Sequence, residues 1–248
     1  MKGEEFDSAA PIADDFKETS IMFADISNFT YWCSQHSALE VFRLLESIYF
    51  QFDKIAAEMN VFKLSTVGDC YIATTGVPFP RDDHAVVLAE FAQRCLKRGN
   101  HVLRELEKEH DMDGLQELDM RIGLHSGPCI AGILRGDKAR FDVFGDTINR
   151  AARVEATGEP GRVHVSKETT KLLEKANMSD WLVPRGTMVE AKGLGQLETF
   201  WLKVSNDDGD ESHIDISPTE LSEECVEMVG TENILRKRMS ADIALPMV

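Results

Sequence analysis

The sequence contains no apolar run approaching the roughly 18 residues that a bilayer-crossing helix requires. Its N-terminus also lacks the apolar stretch of a secretory signal. Paired cysteines are missing: Cys33, Cys70, Cys95, Cys129 and Cys225 are odd in number, and no two have C-x-x-C spacing. This argues against a disulfide framework or a zinc site and for a reducing, cytoplasmic setting, in a soluble chain or the cytosolic portion of a larger membrane protein. Positive charge is scarce. The 27 basic residues face 43 acidic ones, a net charge of -16, so no nucleic-acid partner is expected, because such binding needs a basic footprint. A single small anionic ligand is not excluded, since metal ions and backbone N–H groups can neutralise it locally.

Apolar residues make up 43% of the 248, enough for the core of one moderate domain with polar ends. Residues 1–18 are polar and acidic and read as a flexible lead-in to a domain over 19–204. Strands are expected at Ser20–Ala24, Val61–Ser65 and Cys70–Thr74, the last two joined through the turn Val67-Gly68-Asp69. Met120–His125 and Cys129–Ile133 read as a further pair turned at Ser126-Gly127-Pro128. Helices are expected over 38–59, with the stripe Val41, Leu45, Ile48, Phe52, Ile55 and Met59, and over 83–109. The resulting order, β-α-β-β-α-β, defines an α+β fold with a ferredoxin-like core. A third helix opens at Gly145-Asp146-Thr147, with Asp146 or Thr147 as its N-cap. Val163–Val165, a short helix after Ser166, and strands near Met188 and over 199–204 extend the core C-terminally. From 205 to 248 there are 11 acidic and 3 basic residues, which read as a disordered tail or linker.

Two stretches carry chemistry. Ile21-Met22-Phe23-Ala24-Asp25-Ile26-Ser27-Asn28-Phe29-Thr30 and Val67-Gly68-Asp69-Cys70-Tyr71 each bring an apolar strand to a turn with one carboxylate at the junction. Two such aspartates, followed by a loop of free N–H groups, can cradle two divalent cations and a triphosphate. Taken singly, each has a plainer reading: Asp69 as turn chemistry, Asp25 as a helix cap, Arg121 as a strand-end charge, and Asn149 with Arg153 as a solvated helix face.

Four segments in order resemble the catalytic domain of class III nucleotidyl cyclases: 23–30 (FADISNFT), 66–69 (TVGD), 121–127 (RIGLHSG) and 140–155 (RFDVFGDTINRAARVE). The resemblance implies a head-to-tail homodimer that turns a nucleoside triphosphate into a 3′,5′-cyclic nucleotide and pyrophosphate. It implies two divalent metal ions, Mg2+ or Mn2+, held by Asp25, Asp69 and Ile26. It assigns phosphate contacts to Phe29, Thr30 and Arg121, ribose orientation to Asn149 and transition-state charge to Arg153. Asp142 matches an adenine-reading aspartate, and a carboxylate there would repel the O6 acceptor of guanine. Its partner position holds Ser65, where adenylyl cyclases have lysine and guanylyl cyclases glutamate. Leu194 stands where a triphosphate lysine is common, leaving Lys192 as the substitute. ATP is therefore the favoured substrate. GTP, or a non-catalytic nucleotide-binding module, is the alternative, and fusion to a sensor or membrane domain fits the polar ends.

Overall fold

The computed structural model describes residues 11–109, 112–135 and 139–204. The tail expected at 205–248 and the first ten residues of the lead-in lie outside them. Strand β1 (Ile12–Ser27) leads through the short helix α1 (Phe29–Cys33) into helix α2 (Ala38–Met59). A hairpin of β2 (Phe62–Val67) and β3 (Cys70–Thr75), helix α3 (His84–Glu109) and strand β4 (Asp119–Leu134) complete the β-α-β-β-α-β unit. There follow β5 (Arg140–Phe144), α4 (Asp146–Ala156), β6 (Arg162–Ser166), α5 (Lys167–Lys175), β7 (Leu182–Pro184), β8 (Val189–Ala191), β9 (Gly195–Leu197) and β10 (Thr199–Leu202).

The main sheet runs β2-β3-β1-β4-β6-β10-β7, with β5 also paired to β4, while β8 and β9 form a separate ribbon. The first four strands lie in the ferredoxin-like spatial order, and α2 and α3 close one face. Buried Leu44, Ile48, Phe52 and Ile55 of α2 pack with Leu88, Phe91, Cys95 and Leu103 of α3 against Met22, Ala24 and Ile122 of the sheet. Helix α2 starts where the sequence expects it because Ser37 and Glu40 form a reciprocal capping box. Among the described residues no helix is long and apolar enough to cross a membrane.

Three local expectations are corrected. Residues 12–18 are not a frayed lead-in; they begin β1 and pair with the far half of β4, from Ile12–Ile133 to Phe16–Cys129. Ser126-Gly127-Pro128 is not a turn, and β4 passes straight through it. The ladder steps from Phe16–Cys129 to Thr19–Gly127, so Lys17 and Glu18 oppose Pro128 across a bulge. Such a bulge is where a strand can take a residue with no N–H to give. The N-cap of α4 is Gly145 rather than Asp146 or Thr147. Its φ of 133° is a conformation that favours glycine. Asp146 becomes a first-turn acid instead.

Candidate active site

Asp25 sits near the C-terminal end of β1, just past the point where the ladder to β3 stops at Ala24–Tyr71. On the other side the ladder to β4 continues through Asp25–Arg121, Ile26–Met120 and Ser27–Asp119. Among the described residues, one edge of β1 from Asp25 onward therefore has no strand partner, and the backbone of Ile26 lies there. The β2–β3 turn brings Asp69 to the same end. Gly68 has φ 61°, and the Tyr49 hydroxyl donates to its carbonyl oxygen at 2.8 Å, which ties the turn to α2. Asp25 and Asp69 lie close enough that the charge of Asp69 acts on the Asp25 carboxyl.

Arg121 lies beside this pair. Its Nη2 donates to Asp25 Oδ2 at 2.8 Å and its Nε to Glu155 Oε1 at 2.5 Å. Burial pushes Asp25 up to about 7, with the charges of Asp69 and Glu155 adding to the rise and Arg121 opposing it. One guanidinium is thus outweighed by a dry setting and two like charges. Glu155 is also raised, by burial first, with its bond to Arg121 working the other way. Cys70, next to Asp69, is pushed up to about 12 by burial and by Glu155, Asp25 and Asp69, so its thiol stays protonated.

The donor set fits hard divalent cations. Two neighbouring carboxylates, one of them raised by burial and by like charge, offer oxygen ligands of the kind that Mg2+ or Mn2+ takes. The guanidinium on Asp25 already stands where positive charge is wanted. Among the described residues no three His, Cys, Asp or Glu side chains gather as a metal cage.

The other expected residues fall in distinct places. Phe29 and Thr30 form the first turn of α1, after Asn28 at φ 64°, and first-turn N–H groups have no acceptor inside a helix. Ser65 lies on β2 just past a register shift. Asp142 lies on β5, its Oδ1 accepting from Val143 N at 2.9 Å and its Oδ2 from Arg140 at 2.5 Å. β2 and β5 meet through the edge-on ring pair Phe62–Phe141, with centroids 5.4 Å apart, so Ser65 and Asp142, the positions expected to read the base, lie on adjoining strands. Lys192 is exposed at the β8–β9 turn. Asn149 and Arg153 are exposed on α4, whereas Thr147, Ala151, Val154 and Glu155 form its buried side. Asn149 donates to Gly145 O at 3.3 Å, and Arg153 has no ion-pair partner among the described residues. α4 therefore aims Glu155 inward beside Arg121 and Asp25, and Asn149 with Arg153 outward. A single chain does not bring the two sets together.

Arg121, expected at the phosphates, has two of its nitrogens engaged by carboxylates in this chain. Glu155, Tyr49 and Arg140 were missed. The available signal for Glu155 was a glutamate inside the apolar stripe of a short helix.

This fold is that of a nucleotidyl cyclase catalytic domain. Residues 12–204 match the model of the adenylate and guanylate cyclase catalytic domain, and the chain belongs to that family. It is 36% identical over 197 residues to the receptor-type guanylate cyclase gcy-28 of Caenorhabditis elegans, covering 79% of this chain and 15% of that protein. It is 35% identical over 234 residues to human guanylyl cyclase C, covering 92% of this chain and 21% of the relative. The chain thus spans about a fifth or less of these two relatives. Among solved structures, the catalytic core of a rhodopsin-guanylyl cyclase with converted specificity, in complex with ATPαS, superposes with TM-score 0.65 at 30% identity, covering 78% of this chain and 98% of that one. The adenylyl cyclase CyaB of P. aeruginosa shares the fold, with TM-score 0.69 at 22% identity over 79% of this chain and 98% of that one.

Proposed function

We propose that this chain is the catalytic domain of a homodimeric cyclase that converts ATP to 3′,5′-cyclic AMP and pyrophosphate. The observation that carries the reading is the placement of Asp25, where the β1–β3 ladder stops, within reach of the charge of Asp69 from the β2–β3 turn. Divalent ions bound there would lower the pKa of the ribose 3′-hydroxyl and hold the phosphates. The residues of the chain do the rest. Asp25 and Asp69 hold the ions, with the Ile26 carbonyl beside them. First-turn N–H groups at Phe29 and Thr30 face the phosphates, joined by Lys192. Asn149 orients the ribose. Arg153, exposed and without an ion-pair partner among the described residues, offers planar donors to the charge that builds on the transferring phosphate. Because α4 turns Asn149 and Arg153 away from its own aspartates, these groups serve the site of a second copy. The lengths of the two relatives above support a place within a longer protein that adds a sensor or membrane part.

Asp142 supports adenine, because its carboxylate accepts from the 6-amino group. A second reading, GTP to cyclic GMP, rests on Arg140, whose guanidinium beside Asp142 can donate to guanine O6, and on Ser65, which does not discriminate. The test is product formation by the purified chain with ATP and GTP in parallel, with Mg2+ or Mn2+. Cyclic AMP in excess is expected, and Asp142→Ala should narrow that preference. Cyclic GMP in excess would replace the substrate assignment and keep the mechanism. No cyclic product from folded, dimeric protein would favour a nucleotide-binding module or a missing partner.

A further inference from the structure

Arg121 bonds both Asp25 and Glu155 at the end of β1, and the charge of Asp69 acts on both carboxylates. The arginine's two engaged ends differ. Glu155, with its side chain 10% exposed, holds Nε in the drier setting, whereas Asp25, at 23%, holds Nη2 nearer the opening. Nη1 has no partner among the described residues. The guanidinium is therefore tethered at one end and replaceable at the other. Backbone packing fixes the tether: a Cβ on Gly123 of β4 would lie 2.2 Å from Glu155 N, so α4 lies directly on the strand that carries Arg121.

We propose that Glu155 is a positioning residue for this reaction. It seats Arg121 on Asp25 as a stand-in for a metal cation, and it keeps the arginine in place, with Nη1 and Nη2 turned to the phosphates, once Asp25 is taken over. Without Glu155 the guanidinium is free to pair with Asp25 through both ends, and such fork-to-carboxylate pairing competes with any incoming cation. Glu155 thus favours metal binding by acting through Arg121. The inference rests on the reading of Asp25 and Asp69 as metal ligands.

The experiment is Mn2+ binding to the full chain without nucleotide, read by electron paramagnetic resonance, with folding checked by circular dichroism. Glu155→Gln should weaken binding about tenfold. Arg121→Gln should tighten it. In the Arg121→Gln background, adding Glu155→Gln should change affinity by less than about twofold, the non-additivity expected when one residue works through the other. If Arg121→Gln does not fold, Arg121→Lys serves, because a single ammonium cannot bridge both carboxylates in the same way. Equal weakening by Glu155→Gln in both backgrounds would overturn the proposal, as Glu155 would then act by its own charge. Unchanged Mn2+ affinity in Glu155→Gln would overturn it as well. Wild-type protein that binds no Mn2+, or Asp69→Asn that binds like wild type, would bring down the metal assignment itself and the inference with it, an outcome distinct from the first two.

Discussion

At the scale of single residues, Asp25 holds destabilising charge in the metal-free protein. Its carboxyl is pushed up to about 7 in the fold from an ordinary 3.8, by burial first and then by Asp69 and Glu155. The folded state therefore binds a proton that the unfolded chain has released, and stability falls as pH rises between those values. Asparagine removes the ionisation while keeping an acceptor for Arg121. Metal-free Asp25→Asn should match wild type in urea unfolding below about pH 4, gain on it steadily toward pH 7, and stay ahead above that. Parallel curves for the two proteins from pH 4 to 8 would show that the raised value is wrong. The same variant should lose cyclase turnover at every pH, because the carboxylate that costs stability is the one that would hold a metal ion. Saturating Mn2+ should stabilise wild type and leave Asp25→Asn unmoved, since only a native site gains from ligand binding.

At the scale of elements, the site depends on how closely α4 lies on β4. Gly123→Ala would put a Cβ 2.2 Å from Glu155 N and 2.3 Å from its Cα, backbone that cannot step aside without moving the helix. It should cost about 3 kcal/mol in urea unfolding and reduce turnover by shifting Glu155 and Arg153 together. Gly68→Ala is the control. Its φ is 61° but nothing lies within 4 Å of the new methyl, so only the left-handed strain of ~1 kcal/mol applies. A Gly123→Ala loss no larger than that of Gly68→Ala would refute the close-packing argument. The same contrast explains what the sequence discloses. α2 and α3 are legible because apolar spacing and the Ser37–Glu40 box are local signals. Asp25 and Asp69 are legible because each lies where an apolar strand meets a turn. The straight run of β4 is not, because Ser126-Gly127-Pro128 imitates a turn and the bulge that absorbs Pro128 belongs to β1, over a hundred positions away in the chain. Residues 12–18 hide for another reason: only Phe16 among them is buried, so no apolar alternation marks the strand. Glu155 and Arg121 join across 34 positions, and Arg121 and Asp25 across 96. No periodicity announces such pairs.

At the scale of the whole molecule, the orientation of α4 makes a quantitative claim about assembly. Glu155, on the inner side of this helix, is joined through Arg121 to Asp25, while Asn149 and Arg153 stand exposed on its outer side. If two copies join by a twofold axis, each site takes aspartates from one chain and Asn149 with Arg153 from the other, and the symmetry makes two equal sites. Asp25→Asn and Arg153→Ala should each be inactive alone. Mixed and allowed to exchange subunits, they form heterodimers in which one site collects both defects and the other collects none. Random exchange makes about half the dimers mixed, each with one intact site of two, so activity should recover to roughly a quarter of wild type. The recovery should follow the rate of subunit exchange and vanish on dilution below the dimer dissociation constant. If each site were instead built within one chain, every chain in the mixture would carry a defect of its own, and no recovery would occur at any concentration. That result, with dimers confirmed by sedimentation, would move Asn149 and Arg153 out of the site and return them to an ordinary solvated helix face.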